Sequence, residues 1–336
     1  MAGLFEVNQS AKREDLFDVL TLVDEKATPF LSSVPRGSTP QNTLMEWPVD
    51  SYATPSLGGV LDGTDVSSYE NHAERREILR TYLQTFRRSA KVSRLSQEVS
   101  NVAGVTDEMA RSIMMKTVEL GRDIEATLLS NQEHQAEAGT APYLTRGLST
   151  WILDTTNIGN QTLYQVPVAF RPAAAQIDET AAASITESDI QDMLQSVFDT
   201  TGMINDFKFF AGSELRRAFT DFTRTIATAG YSSRDLNYDG ASGTIRNSTV
   251  IFEGDFGSIE VVPSSFIGFT APSGTAPDTS RGFLLDMDKI DLRSHKAPTV
   301  ERFEDRGGGP RFMIEARCAL QVRNPVGLAQ FNTNLS

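Results

Sequence analysis

Several groups of residues in this chain have the types that catalysis and metal binding use, and each group fails on spacing. The three histidines, His72, His134 and His295, lie far apart and make no metal-ligand pattern. Asp255-Phe256-Gly257 spells a kinase-like tripeptide, but the other kinase segments are missing, so it reads as a turn between two strands. Gly307-Gly308-Gly309 has the backbone freedom of a phosphate cradle. A cradle also needs a following Lys-Ser/Thr and a helix; here Pro310 leads into a strand, and a hairpin turn is the reading. Glu301 and Glu304 could form an acid–base pair, yet nothing focuses them on a pocket. The single cysteine, Cys318, sits in an alternating apolar run and reads as a buried, inert thiol of a protein made in a reducing cytoplasm. No catalytic, cofactor-binding or metal-binding residue is therefore expected.

The chemistry that does stand out is charge. Arg75, Arg76, Arg80, Arg87, Arg88, Lys91 and Arg94 form a basic stripe in a chain whose formal net charge is −13. A strand face turned to solvent would account for such a stripe. The functional reading is a clamp onto acidic surface of an adjacent copy, with Trp47 as an apolar contact beside it. The acidity of the whole argues against sequence-specific nucleic-acid binding.

The elements that must carry these residues follow from pattern. Residues 1–42 read as an arm: Ser10 caps a helix with Leu16, Val19, Leu20 and Val23 on one face, before Pro29, Pro35 and Pro40 break the chain. Residues 43–94 read as one long hairpin. Its first limb is TLMEWPVDSY, its tip is rich in Gly and Pro, and REILRTYLQTFRRSAKVSR returns as the second limb. An isolated ribbon is marginal in water and needs something to lie on. Residues 106–131 read as a long helix capped by Thr106. Met109, Ile113, Leu120, Ile124 and Leu128 form its apolar stripe, widened by Met114, Val118 and Leu129. Gly121 inside that helix suggests close approach of a crossing element.

Further on, loops and short strands with a helix near 170–183 are expected. A helix opening on a Thr186/Asp189 capping box, a buried strand at 207–212, a helix from Ser213, and strands at 245–252, 257–263 and 282–286 follow. FMIEARCALQVR, with Phe312, Ile314, Ala316, Cys318, Leu320 and Val322 on one face, predicts a half-buried strand packed on the long helix. The 336 residues suffice for two lobes. No apolar run is long enough to cross a membrane, and the N-terminus lacks an export pattern.

This order of parts resembles the major capsid proteins of tailed double-stranded DNA bacteriophages, a fold shared with encapsulins and the herpesvirus capsid floor. The likeness is carried by RTYLQTFRRSAKVSRLSQEV, VELGRDIEATLL, LTRGLSTWI, FGSIEVVPSSF and EARCALQVRNPVGLAQF. It implies an α+β fold with an N-terminal arm (1–42), an E-loop hairpin (43–94) and a P-domain (95–185) holding the spine helix (106–131). An A-domain (186–285) and closing P-domain strands (286–336) complete it. It implies a non-enzymatic head subunit that self-assembles as hexamers and pentamers into an icosahedral shell. The shell would be built in the host bacterial cytoplasm and enclose DNA without reading its sequence. Separate scaffolding, decoration and portal proteins are the implied partners. Some relatives cross-link through an E-loop lysine; no lysine occurs here between Lys26 and Lys91, so covalent locking there is not expected. The arm begins almost at once, so any scaffold is expected to be a separate protein. The alternatives are an encapsulin-type compartment shell, or an α/β enzyme with an unrecognised site.

Overall fold

The computed structural model describes residues 27–98, 107–153, 166–180, 184–225, 238–239, 244–245, 251–269 and 278–331. The arm helix expected at 10–23 lies outside them. Along the chain a short helix α1 (Pro29–Ser33) precedes strands β1 (Leu44–Val49), β2 (Glu77–Tyr82) and β3 (Gln84–Lys91). Helices α2 (Arg94–Glu98), α3 (Glu108–Leu128) and α4 (Leu148–Trp151) come next, then strand β4 (Ile177–Asp178), helix α5 (Glu187–Thr201), strand β5 (Asn205–Ala211) and helix α6 (Ser213–Thr225). Strands β6 (Tyr238–Asp239), β7 (Thr244–Ile245), β8 (Ile251–Gly254), β9 (Gly257–Pro263), β10 (Gly282–Leu285), β11 (Ile290–Phe303), β12 (Arg311–Val322) and β13 (Ala329–Phe331) complete the order.

The long helix forms where its periodicity requires, between Glu108 and Leu128. Asp107 supplies the cap: its carboxylate accepts the Met109 and Ala110 N–H groups, which the helix itself cannot satisfy. Thr106, the cap expected from sequence, lies outside the described residues. The apolar face is narrower than the pattern suggested, because Met114 and Val118 are 61% and 50% exposed while Leu129 is buried. Leu120, Ile124 and Leu128 pack with Phe86, Phe312 and Ile314 of a three-stranded antiparallel sheet, β11-β12-β3. Gly121 faces α1, with Leu31 Cδ2 at 3.9 Å from where a Cβ would stand, so the crossing element is α1.

The second core belongs to a six-stranded sheet of order β4-β13-β10-β5-β9-β8. Phe207 and Phe209 of β5 pack with Ile190, Met193 and Val197 of α5 and with Leu215 and Phe219 of α6. Phe210, pointing the other way, meets Phe30 edge-on at 5.3 Å between centroids. That double burial is why 209–211 reads as a continuous apolar run, while Lys208 keeps partial exposure. The Thr186 N–H donates to Asp189 at 2.7 Å at the start of α5, and Gly202 at φ 68° closes that helix in the left-handed conformation.

Tertiary pairing overturns four local expectations. The single hairpin expected over 43–94 is two pieces. β2 pairs with β1, but beyond the buried Leu83 the chain changes partner and β3 pairs with β12. β12 is not half-buried: from Ile314 on, both faces are covered except at Arg317, because it is the central strand and its second face is closed by side chains of β3 and β11. The helix near 170–183 is instead single-turn 3₁₀ segments at Val168–Phe170 and Ala174–Gln176, followed by β4. The strand expected at 245–252 is the separate pieces β7 and β8, which lie in different sheets. β4 and β13, from outside 186–285, extend the six-stranded sheet by pairing with each other and, through β13, with β10. Asp255-Phe256-Gly257 is the expected turn between β8 and β9, and the Gly307–Gly309 run turns β11 into β12.

Candidate assembly surface

The feature with the least support from its own chain is the segment joining β1 to β2. Tyr52, Leu57, Val60, Leu61, Val66 and Tyr69 are all strongly exposed along it. Monomeric soluble proteins rarely present so many large apolar groups together. Its base, in contrast, is firmly rooted. Trp47 is buried and lies 5.6 Å from Trp151, whose ring is covered on another side by the buried Arg146 guanidinium at 4.7 Å. The Thr81 hydroxyl accepts the Arg146 N–H at 3.1 Å, tying β2 to the segment after α3. Tyr82 stacks on His134 at 5.8 Å, and burial, aided by the charges of Arg146 and Arg80, lowers that imidazole to a pKa of about 3. His134 is therefore a neutral packing group at neutral pH.

The basic stripe is largely absorbed within the chain. Arg80 pairs with Glu46, its partner across β1-β2, at 3.6 Å, and Arg76 reaches Asp50 at 3.4 Å. Arg88 forms a two-pronged pair with Asp123 of α3, both contacts at 2.5 Å, which holds β3 on the long helix and raises the arginine's own pKa. Arg94 meets Asp305 at 2.6 Å, and that carboxylate also accepts the N–H groups of Gly307 and Gly309. Arg87 reaches Glu315 at 3.0 Å. Lys91 extends over the glycine turn, and its Nζ stands 2.1 Å from where a Cβ on Gly308 would be. Arg75 is exposed at the end of the 3₁₀ turn His72–Arg75. Five of these seven basic residues thus clamp elements of their own chain, and Trp47 is an internal anchor.

Four buried carboxylates among the described residues, Glu125, Asp286, Asp291 and Glu315, escaped sequence reading. Glu315 falls on what the alternation marked as the polar face, yet it is buried. Burial opposes its charge, but the hydrogen bond from Arg87 and the charges of Arg317 and Lys296 hold its carboxyl below the usual range. Glu125 is fully buried on α3 and accepts the Leu31 N–H at 3.0 Å and the Ser264 hydroxyl at 3.2 Å. It joins α1, α3 and the loop after β9, and burial pushes its carboxyl up. Its place one residue beyond Ile124 in the apolar stripe was the available signal. Among the described residues no group of His, Cys, Asp and Glu has metal-site geometry.

Comparison with known proteins places this arrangement. The family model for the SU10 major capsid protein matches residues 4–335. This chain belongs to the SU10 major capsid protein family. As a member of that family it is a structural, shell-forming subunit of a phage virion, as the sequence resemblance implied. Solved structures agree on the fold at low identity. A cyanophage A-1(L) capsid asymmetric unit is 13% identical, with a TM-score of 0.66 over 99% of this chain and 100% of that one. The capsid of an empty GTA particle is 12% identical, with a TM-score of 0.63 over 95% of this chain and 94% of that one. The holo-SrpI encapsulin complex from Synechococcus elongatus PCC 7942 is 10% identical, with a TM-score of 0.54 over 100% of this chain and 98% of that one. A comparison with curated proteins finds no match. For this SU10-family subunit, the exposed 50–71 segment and its rooted base are the features suited to contact between copies.

Proposed function

We infer that this chain is the repeating tile of a phage head: hexamers and pentamers of it close into an icosahedral shell around double-stranded DNA in the host bacterial cytoplasm. The observation that carries the reading is the apolar 50–71 segment, exposed on a rigid β1-β2 base. Its burial becomes favourable only when another copy covers it. In this reading residues 1–42 are the arm, 43–94 the E-loop region, 95–185 with 286–336 the P-domain, and 186–285 the A-domain. Of the basic stripe, Arg75 and Lys91 remain candidates for contact between copies, and Arg87 retains an exposed edge. The acidic chain encloses DNA without reading its sequence, since like charge leaves the duplex free to slide. Portal, scaffolding and decoration proteins are separate partners.

Weak repeated contacts suit this task. Exposed ion pairs contribute about 0–1 kcal/mol each, so a misplaced copy can leave, while a closed ring sums many of them. Negative-stain microscopy of the expressed chain tests the reading, with nuclease-protected DNA measured in any particles. Closed shells holding DNA, in the presence of the other head proteins, are expected. A chain that stays a single molecule under every assembly condition overturns the proposal, and shells holding only a protein cargo replace it with a compartment role.

A further inference from the structure

Within the connection from β1 to β2, one carboxylate is followed by glycine. Asp62 precedes Gly63, whereas Asp65, Glu70 and Glu74 precede Val66, Asn71 and Arg75. Asp62 and Gly63 are both exposed. Among the described residues the Asp62 carboxylate has no hydrogen-bond or ion-pair partner, and the Gly63 N–H has no acceptor. A Cβ added to Gly63 would meet nothing within 4 Å, so the peptide link stands in open solvent. Other aspartates are engaged. Asp50 accepts the Ser51 N–H at 2.9 Å and meets Arg76 at 3.4 Å, and Asp305 is held by Arg94 and the glycine turn. Gly63, at φ 80°, is the third residue of a turn closed by the Thr64 N–H on the Leu61 carbonyl at 3.3 Å, a type II arrangement. The Thr64 hydroxyl donates to the same carbonyl. Among the described residues no other backbone–backbone bond holds 52–70. A turn tied so lightly in solvent opens at little cost.

An aspartyl carbon beside a glycine nitrogen is set for one covalent reaction. We propose that Asp62-Gly63 is a site of spontaneous isoaspartate formation in the unassembled subunit, and that cover by another copy closes the site. The Gly63 nitrogen attacks Asp62 Cγ. A bond forms between them, the Cγ–O bond breaks, and the carboxyl oxygen leaves as water while the amide proton passes to solvent. The product is a five-membered succinimide. Water then opens the ring at either carbonyl. Opening at Cγ restores aspartate, and opening at the main-chain carbonyl routes the chain through Cβ and Cγ. One water is lost and one regained, so mass is unchanged and the backbone is longer by one carbon. Gly63 permits this because it has no side chain to crowd the ring and its φ and ψ are free. Val66, branched at Cβ, crowds the same step at Asp65. A type II turn holds its second residue at a ψ of about +120°, and ring closure needs that angle to swing well away. The free loop allows the swing, and a neighbouring copy lying on it does not. The first half of the proposal stands on the subunit alone; the second rests on the shell reading.

Ageing the full chain tests this. The unassembled subunit is held in mildly acidic buffer, where the carboxyl group can leave its oxygen as water, then digested and mapped by mass spectrometry with electron-transfer fragmentation. Methyl transfer by protein-isoaspartate methyltransferase counts the new linkage independently. The peptide holding Asp62 is expected to split into two species of equal mass, with a minor one lighter by one water, and fragmentation places the change at Asp62 rather than Asp65. Gly63→Ala slows the conversion several-fold. Asp62→Glu abolishes it, because the larger ring closes far more slowly. Both substitutions lie on exposed positions, and an unchanged subunit melting temperature confirms the fold. No isoaspartate at Asp62 in the wild-type subunit overturns the proposal, as does equal conversion at Asp65 or an unslowed rate in Gly63→Ala. Preformed shells aged alongside are expected to convert several-fold more slowly. An equal rate in shells overturns the closing of the site while leaving the shell reading in place. If no shells form, the shell reading fails and the closing with it, and the subunit measurement still decides the modification.

Discussion

Arg87 and Glu315 face each other across β3 and β12, Nη2 to Oε2 at 3.0 Å, although 228 residues separate them in the chain. One partner is largely exposed and the other almost wholly buried, so the two ends of the pair differ in weight. Losing Arg87 leaves Glu315 with Arg317 and Lys296. Losing Glu315 leaves cations crowded on one face.

Glu315→Ala is expected to lower unfolding free energy by about 2 kcal/mol, and Arg87→Ala by at most about 1 kcal/mol, in urea titrations of the unassembled subunit. The pH dependence has a definite sign. The folded Glu315 carboxyl is held below its ordinary value of 4.5, so its contribution is present above that pH and is lost as pH falls through the folded value. The wild-type subunit should lose stability in that acid range more steeply than Glu315→Ala does. Equal slopes would remove the cation cage as a source of stability.

Glu125 has the opposite sign. Burial raises its folded carboxyl above the ordinary value of 4.5, so this group's contribution to stability is greatest in acid and is lost as pH rises through the folded value. Glu125→Gln removes the buried charge and keeps an acceptor for the Leu31 N–H. It should raise the subunit's melting temperature at pH 7 and flatten its decline between mildly acidic and neutral pH. Glu125→Ala leaves that N–H without its acceptor and should lower the melting temperature instead.

Trp47→Ala is expected to cost about 3 kcal/mol of subunit stability, because it empties the contact with Trp151 at the base of the β1-β2 ribbon. Amide hydrogen exchange should quicken at Leu79 and Thr81 before it does in α3. Loss of shells with unchanged subunit stability would instead make Trp47 a contact between copies.

Excising residues 54–69 and joining the ends with a short Gly-Ser turn should leave the subunit's melting temperature nearly unchanged, since the loop's apolar side chains rest on nothing in their own chain. Shell formation should be abolished, as judged by light scattering. Wild-type assembly from the excised chain would show that other surfaces suffice.

The sequence alone determined the elements whose signals are local. The helix Glu108–Leu128 follows from a 3.6-residue apolar stripe and an acidic start; α5 follows from Thr186 and Asp189; the turn at Gly307–Gly309 follows from backbone freedom that other residues lack. The ordered set of segments also carried the capsid resemblance that the family match bears out. Tertiary structure decided what depends on partners distant in the chain. Nothing near Leu83 says that the strand must leave β1 for β12, because strand pairing is settled by which edge offers matching burial. Nothing near Arg87, Arg88 or Arg94 says that each will find its carboxylate at Glu315, Asp123 and Asp305. A basic stripe is a statement about composition, and its meaning is fixed only when the fold brings the counter-charges within a few ångströms, where Coulomb attraction is strong enough to claim them.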